Sequence, residues 1–270
     1  MLKTNSSHTF SYLGNSVVFH SSGAGPRLLL IHGFAVSSVI WSEMVPLLSE
    51  QFEVVTLDLP GFGTQAEFEI AATAQAYLAF IAAAISALQP QYVLGYSMSA
   101  NLCYHVTAQM DPCVRKLILL SPAIQPRPTA RLLSGIFACI GLSTWLTQLV
   151  KMTVSRTPCK QLFFASTQLG NLRHPSSMTF CMRELRAAAN TKERFRLLAD
   201  VLVMGYVSQP VTIPTTVIVG EKDGLLWFGA LKHVLATLEA HEVVTLLGGY
   251  HLLPRELPQE LVRVIRETCR

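Results

Sequence analysis

The chain has 270 residues, of which 50% are hydrophobic and 14% are charged, and its formal net charge is +4. This balance favours one large globular core, or two unequal ones, over a low-complexity chain. The six cysteines show neither the CxxC spacing of zinc and redox sites nor the density of a disulfide scaffold, so we expect reduced thiols, no metal and no cofactor.

Short apolar runs alternate with helical patterns along most of the chain, which indicates βαβ units and a parallel sheet with helices on both faces. The N-terminal segment has no apolar run that could serve as a signal peptide, so we expect a cytoplasmic protein. A hairpin around Gly14-Asn15 comes first. The predicted strands then lie at 27–33, 52–61, 91–97, 116–123, 215–223 and 242–249, and the predicted helices at 38–50, 71–88, 98–110, 226–239 and 255–268.

The alternation stops between Pro122 and Ile213, where the patterns are helical and no strand is convincing. We interpret residues 123–212 as an inserted helical cap on a core formed by 1–122 and 213–270. Residues 121–200 contain eleven Lys and Arg against three acids, a net charge of +8 that leaves −4 for the remainder. Such a basic cap is either an ordinary solvated face or a surface for an anionic partner. Nucleic acid is not expected, because no recognised fold or aromatic platform accompanies the charge.

The uncharged run from Leu132 to Val150 is long enough to span a bilayer. A single crossing would place Ser97 on one side of the membrane and Asp223 and His251 on the other. If those three residues form one site, a span is excluded and contact with a membrane surface is the alternative that remains.

Three residues suited to nucleophilic catalysis fall at the ends of predicted strands, where an open parallel sheet places its site. Ser97 lies between a strand and a helix, the position of a nucleophile exposed on a sharp turn. A serine needs a base, and His251, after the Gly248-Gly249 turn, is the best candidate. Asp223, at the end of strand 215–223, is the best candidate to orient that histidine.

The turn around Ser97 reads Gly-Tyr-Ser-Met-Ser, where the usual pattern is Gly-x-Ser-x-Gly. Ser99 adds only a hydroxymethyl group, so we expect the turn to survive and a Ser99→Gly variant to keep its activity. The backbone N–H groups of Met98 and Phe34 are the expected donors of an oxyanion hole.

Three further polar residues are expected to have structural roles. Glu221 is a rival to Asp223, but it should point to the other face of the strand and remain a surface charge. Asp58 is expected to stabilise a turn, and His32 to brace the loop that carries Phe34.

The segments “LLLIHGF”, “LDLPGFG”, “GYSMSA”, “VGEKDGLL” and “GGYHLLP” resemble the successive landmarks of the α/β-hydrolase superfamily, in its serine esterase branch. Within it, “DLPGFG”, “DGLL” and “HLLPREL” most resemble the pimeloyl-acyl carrier protein methyl ester esterase group. The resemblance implies the α/β-hydrolase fold and a cap whose arginines receive an acidic carrier protein. On that basis the substrate-binding candidates are Arg183, Arg186, Arg194 and Arg196.

The sequence thus predicts a serine hydrolase that cleaves a carboxylic ester through an acyl-enzyme. The expected substrate is pimeloyl-acyl carrier protein methyl ester or another anionic acyl ester, with acyl carrier protein as the partner. Two alternatives stay open: a C–C bond hydrolase or lyase acting on an anionic small molecule, and a non-enzymatic ligand-binding protein. A dehalogenase or epoxide hydrolase would place an aspartate at the position of Ser97.

Overall fold

A computed structural model describes residues 6–109, 113–123, 127–155, 180, 183–184, 191–224 and 228–270. Its frame is one eight-stranded sheet with the order β1-β2-β4-β3-β5-β6-β7-β8. Strand β2 is antiparallel to both of its neighbours, β1 and β4, and every other pair of strands is parallel. The strands are β1 (Ser6–Tyr12), β2 (Asn15–Gly23), β3 (Arg27–Ile31), β4 (Glu53–Leu57), β5 (Tyr92–Tyr96), β6 (Lys116–Leu120), β7 (Thr215–Gly220) and β8 (His241–Leu246). All six predicted strands and the hairpin are confirmed.

Helices cover both faces of this sheet. In chain order they are α1 (Val45–Leu48), α2 (Ala74–Leu88), α3 (Met98–Thr107), α4 (Arg127–Leu142), α5 (Thr144–Ser155), α6 (Thr191–Leu202), α7 (Phe228–Leu235), α8 (Leu253–Glu256) and α9 (Pro258–Thr268). Strand β3 shows why both faces are needed: Leu29 and Ile31 belong to one apolar cluster, and Leu28 and Leu30 belong to the other. Because alternate side chains of a strand point to opposite faces, a strand that is apolar throughout requires a cover on each side.

Two predicted helices are interrupted by proline. The single helix expected over 38–50 is wrong: a 3-10 turn over Ser38–Trp41 is followed by the separate short helix α1. Pro46 lies in the first turn of α1, where its missing N–H costs nothing, but a helix continuing from residue 38 would lose a hydrogen bond there and clash with the pyrrolidine ring. Pro258 likewise begins α9 and separates it from α8.

Helix α6 is anchored to the body of the fold by polar contacts along its length. The guanidinium of Arg194 donates to Gly61 O, and Asp200 Oδ2 accepts from the N–H of Ala74, the first residue of α2, at 2.6 Å. Asn101 on α3 donates to Val201 O at 3.1 Å. The described part of 123–212 adds helices and no strand to the sheet; its division from the core as a cap stays a prediction.

The apolar run from Leu132 to Val150 does not form one helix. It is shared between α4 and α5, which separate at Ser143, where the Ser143 hydroxyl accepts a hydrogen bond from Leu146 N–H at 3.2 Å. Among the described residues, no helix combines the length and apolar character that a membrane crossing requires.

Candidate active site

Ser97 stands on a strained turn between β5 and α3. Its backbone angles, φ 55° and ψ −113°, are unfavourable for a residue with a side chain, so the surroundings must enforce them. Ser97 N–H donates to Leu120 O on β6 at 2.9 Å, and Ser97 O accepts from the N–H groups of Ala100 and Ala123 at 3.1 and 3.2 Å. The turn is therefore held from the strand side and from the helix side.

Gly95 makes this turn sterically possible. A Cβ atom added to Gly95 would lie 2.7 Å from Ser99 O and 2.8 Å from Ala100 Cα. Both are backbone atoms of α3, so they cannot move aside without moving the helix. The first glycine of the pattern is thus required by the close approach of strand and helix.

The structure brings the three predicted side chains into one hydrogen-bonded chain. His251 Nε2 lies 2.9 Å from Ser97 Oγ, and His251 Nδ1 lies 2.9 Å from Asp223 Oδ2. The Asp223 side chain is fully buried. Ser97 follows β5, Asp223 follows β7 and His251 follows β8, so the carboxyl ends of three parallel strands supply the group.

The loop that carries His251 is itself fixed. Tyr96 Oη donates to His251 O at 3.0 Å, and its ring lies 5.5 Å from the imidazole. The carboxylate of Glu256 accepts from Tyr250 N–H at 2.7 Å and from Leu252 N–H at 3.3 Å, on either side of the histidine. The imidazole is therefore held in place by more than its two functional contacts.

Opposing effects act on the pKa of His251. Burial lowers it, whereas the negative charge of Asp223, the hydrogen bond to Asp223 and the more distant charge of Glu256 raise it, and the net result is a pKa above the usual 6.5. The paired carboxylate thus stabilises the imidazolium, the state that a general base reaches when it accepts a proton.

Met98 and Phe34, the predicted donors, belong to two different segments next to Ser97, helix α3 and the loop after β3. Met98 opens α3, so its N–H is one of the helical donors without a partner in its own helix. Gly33 packs directly against the turn: a Cβ added there would lie 3.0 Å from Ser97 Cβ and 2.9 Å from Tyr96 O. The loop after β3 therefore approaches Ser97 as closely as the absence of a side chain at Gly33 permits.

His32 sets the orientation of that loop. Leu59 N–H donates to His32 Nε2 at 3.0 Å, so the proton must be on Nδ1, which donates to Gly33 O at 2.8 Å. In a trans peptide the C=O and the following N–H point in opposite directions. The bond to Gly33 O thereby directs Phe34 N–H away from His32. Burial lowers the pKa of His32 more than nearby Asp58 raises it, so this imidazole is neutral.

Asp58 and Glu221 occupy the supporting positions expected of them. Asp58 is buried and accepts from the N–H groups of Ser38 and Thr64 at 2.6 and 2.8 Å, which fixes the turns on either side. Glu221 is exposed and accepts from Gly248 N–H at 2.8 Å, in the turn that leads to His251. It is Asp223, two residues later, that reaches the imidazole.

Three of the four predicted arginines lie among the described residues, and their exposure differs. The Arg183 side chain is 66% exposed and lies 3.6 Å from Glu184. Arg194 is buried, with its guanidinium 4.1 Å from the centre of the Phe62 ring, and Arg196 is half-buried on α6. Arg186 lies outside the described residues. The contacts of Arg194 are those of an anchor between α6 and the body.

An aromatic row beside the turn was not singled out by the sequence patterns. The Phe34 ring lies 5.4 Å from Phe195 on α6, which stacks on Phe137 of α4 at 5.8 Å. The row leads from the predicted oxyanion loop to α6 and α4 and has the apolar character typical of acyl pockets. No local motif marks Phe137 or Phe195, because their proximity arises only when α4 and α6 pack together.

The chain matches the Alpha/beta hydrolase family over residues 28–264. It belongs to this family. The fold agrees with solved structures: the esterase from Thermogutta terrifontis is 21% identical with a TM-score of 0.74 over 98% of this chain and 97% of its own. The epoxide hydrolase CorEH is 20% identical with a TM-score of 0.76 over 98% of each chain. The predicted fold class and family resemblance are confirmed, and the predicted enzyme class, a carboxylic ester hydrolase, agrees with them.

Two curated relatives carry the same name, pimeloyl-[acyl-carrier protein] methyl ester esterase. The protein from Xylella fastidiosa (strain M23) is 27% identical over 85% of this chain and 89% of its own length. The protein from Aeromonas hydrophila is 23% identical over 93% of this chain and 98% of its own length. This chain is thus similar to these esterases over most of its length and of theirs.

Proposed function

We propose that this protein is a serine esterase that cleaves a carboxylic ester through an acyl-enzyme, with Ser97 as its nucleophile. The observation that carries the proposal is the continuous chain from Ser97 Oγ through His251 to the buried carboxylate of Asp223. A serine hydroxyl on a strained, partly exposed turn with a histidine at 2.9 Å is arranged for attack on a carbonyl carbon.

In the first half-reaction Ser97 Oγ bonds to the carbonyl carbon while its proton moves to His251 Nε2. Asp223 stabilises the imidazolium, and the N–H groups of Met98 and Phe34 stabilise the oxyanion. The tetrahedral intermediate then expels the alcohol, which takes the proton from Nε2 and leaves an acyl-Ser97 ester. In the second half-reaction a water molecule gives a proton to His251 and attacks the acyl carbon. Collapse of this second intermediate releases the acid and restores the Ser97 hydroxyl.

The substrate class we propose is an anionic or carrier-linked acyl ester. Support comes from the names of the two relatives and from the net charge of +8 over residues 121–200. An acidic carrier would be attracted to such a surface, and the row formed by Phe34, Phe195 and Phe137 would suit an apolar acyl chain.

Labelling with a fluorophosphonate probe tests the nucleophile. We expect the wild type to be labelled and to hydrolyse p-nitrophenyl esters, and Ser97→Ala to do neither while unfolding at the same temperature. An unlabelled wild type would overturn the proposal and favour a non-enzymatic binding protein. Assays with p-nitrophenyl esters and with vinylogous diketones distinguish an esterase from the remaining alternative, a C–C bond hydrolase or lyase. Cleavage of the diketones without cleavage of the esters would contradict an esterase.

Charge neutralisation tests the carrier-linked substrate. We expect replacement of Arg183, Arg186 and Arg196 by Gln to lower kcat/KM for pimeloyl-acyl carrier protein methyl ester by about tenfold at low salt, and by less at high salt. The rate with neutral p-nitrophenyl acetate should not change. Arg194 is kept because its guanidinium is buried. Arg263→Gln, which removes an exposed arginine from α9, is the matched control. Equal losses on both substrates would contradict an electrostatic role.

A further inference from the structure

Ser99 replaces the second glycine of the common turn pattern, and its side chain is completely buried. It is the second residue of α3, two positions after Ser97. A buried hydroxyl must have hydrogen-bonding partners to be tolerated, and the partners of Ser99 are backbone atoms of the two strands that form the site.

The Ser99 hydroxyl connects β5 to β3. Tyr96 N–H donates to Ser99 Oγ at 2.9 Å, and Ser99 Oγ lies 2.7 Å from Ile31 O and 3.1 Å from Tyr96 O. A hydroxyl has one proton, so it donates to the nearer acceptor, Ile31 O. The regular ladder between these strands ends at the pair Ile31 and Gly95. The hydroxyl extends the connection one residue further, through a side chain.

This connection lies where the two halves of the predicted oxyanion hole meet. On one side, Tyr96 immediately precedes Ser97 and Met98. On the other, Ile31 is followed by His32, Gly33 and Phe34. On the opposite edge of β5, Ser97 N–H is bonded directly to Leu120 O of β6 at 2.9 Å. The strained turn is thus held to both neighbouring strands, and on the β3 side Ser99 supplies the link.

We infer that Ser99 is a positioning residue that sets the distance between the Met98 and Phe34 N–H groups, and that its hydroxyl supplies a link that a glycine in this turn would lack. The inference rests on the proposed function of Ser97. It reverses the expectation that Ser99→Gly keeps its activity, because glycine removes the acceptor of Tyr96 N–H and the donor to Ile31 O together.

The test measures kcat, KM and inhibitor affinity for Ser99→Ala, Ser99→Gly and Ser99→Cys with a p-nitrophenyl ester. A small displacement of an oxyanion donor acts on the transition state and not on substrate binding. We expect kcat to fall about tenfold to a hundredfold for Ala and Gly, with KM changed by less than about twofold. The Ser99→Cys variant carries a thiol that is similar in size to the hydroxyl and is a weak donor. Its kcat should lie between the values of these two variants and that of the wild type.

A trifluoromethyl ketone gives the decisive readout, because it forms a tetrahedral adduct with a nucleophilic serine. Its affinity should fall in parallel with kcat, while the affinity for the product carboxylate stays the same. Thr107→Val is the matched control: it removes a buried hydroxyl from the same helix, one whose partners among the described residues are Cys103 O and Tyr104 O within α3. We expect it to lower the unfolding temperature without lowering kcat.

The outcomes separate this inference from the proposed function. If Ser99→Ala or Ser99→Gly keeps the wild-type kcat and the wild-type ketone affinity, the inference is overturned while fluorophosphonate labelling of Ser97 still stands. The inference is also overturned if Ser99→Ala and Ser99→Gly lose no more kcat and ketone affinity than Thr107→Val does. Should Ser99→Ala fail to fold, wild-type kcat and ketone affinity in Ser99→Cys would overturn the inference. An unlabelled wild type overturns the proposed function itself.

Discussion

His251 Nδ1 donates to Asp223 Oδ2 at 2.9 Å, and no part of the Asp223 side chain is exposed to solvent. This contact fixes the proton on Nδ1 and leaves Nε2 free to accept the proton of Ser97. The amide of an asparagine at this position could instead donate to Nδ1, which would place the proton on Nε2. We therefore expect Asp223→Asn to lower kcat by about ten-thousandfold while the chain stays folded. Steady-state kinetics and thermal unfolding measure the two effects.

Glu221→Gln is the control for this prediction. Glu221 lies two residues away, is exposed, and bonds to Gly248 N–H outside the hydrogen-bonded chain. The Glu221→Gln variant should retain nearly all activity. A comparable loss in both variants would show that the loop, and not the tautomer of His251, is responsible.

The pH profile should report the raised pKa of His251. The general base must be neutral, so kcat/KM should fall as the pH drops through this pKa, at a pH above 6.5. Removing the charge of Asp223 leaves burial as the main influence, and burial lowers the pKa. The acid limb of the residual activity in Asp223→Asn should therefore move to lower pH. A limb at the same pH in both proteins would contradict the assignment to His251.

His32 should make the stability depend on pH in the opposite sense from His251. Its pKa is lowered by burial, so as the pH falls below 6.5 the unfolded chain takes up a proton that the folded chain excludes, and stability is lost. In His32→Gln this contribution is absent. At about pH 8 the variant should be less stable by about 1–3 kcal/mol, because two buried hydrogen bonds are disturbed.

The difference in unfolding free energy between the wild type and His32→Gln should shrink between about pH 8 and about pH 5.5. Urea titrations at the two pH values measure it, and the contribution of His251 cancels because both proteins contain it. A difference that grows towards low pH would mean that His32 is charged in the folded state.

Gly95 and Gly135 form a matched pair for the steric argument. A Cβ at Gly95 would overlap backbone atoms of Ser99 and Ala100, so Gly95→Ala should destabilise the chain by about 3 kcal/mol and disturb the turn at Ser97. Gly135 is exposed within α4, and a Cβ there meets no atom within 4 Å. Gly135→Ala should therefore stabilise by about 0.5–1 kcal/mol, since alanine favours the helix. Equal effects in chemical denaturation would contradict the role given to Gly95.

Much of the fold follows from local patterns. Strands β3 to β7 are short, largely apolar runs, and they are recognisable because they are buried on both faces. Strand β8 lies at the edge of the sheet and is mostly exposed. Ser97, Asp223 and His251 could be found because each follows a strand, and the carboxyl ends of parallel strands meet at one edge of the sheet. The prediction of one helix over 38–50 was wrong because Pro46 interrupts the hydrogen-bonding pattern that such a helix needs.

The burial of the arginines could not be predicted from local sequence. By sequence, Arg183 and Arg194 are equivalent members of one basic segment. In the structure the first is exposed, and the second is buried against Phe62 with a hydrogen bond to Gly61 O. Composition gives only the number of charges, whereas the burial of each arginine depends on how its own segment packs against the rest of the fold.

Apolar periodicity and turn chemistry depend on neighbouring residues, so the sequence alone predicted the positions of the strands, the serine turn and its two distant partners. The order of the strands in the sheet comes from the structure. The bond from Ser99 to Ile31 and the stacking of Phe137 on Phe195 join residues that are far apart in sequence. Such contacts depend on how closely strands and helices approach one another, and that distance is set by the packing of the whole chain. For this reason the sequence predicted no effect of Ser99 beyond its small size, and the role that we propose for its hydroxyl follows only from its surroundings in the fold.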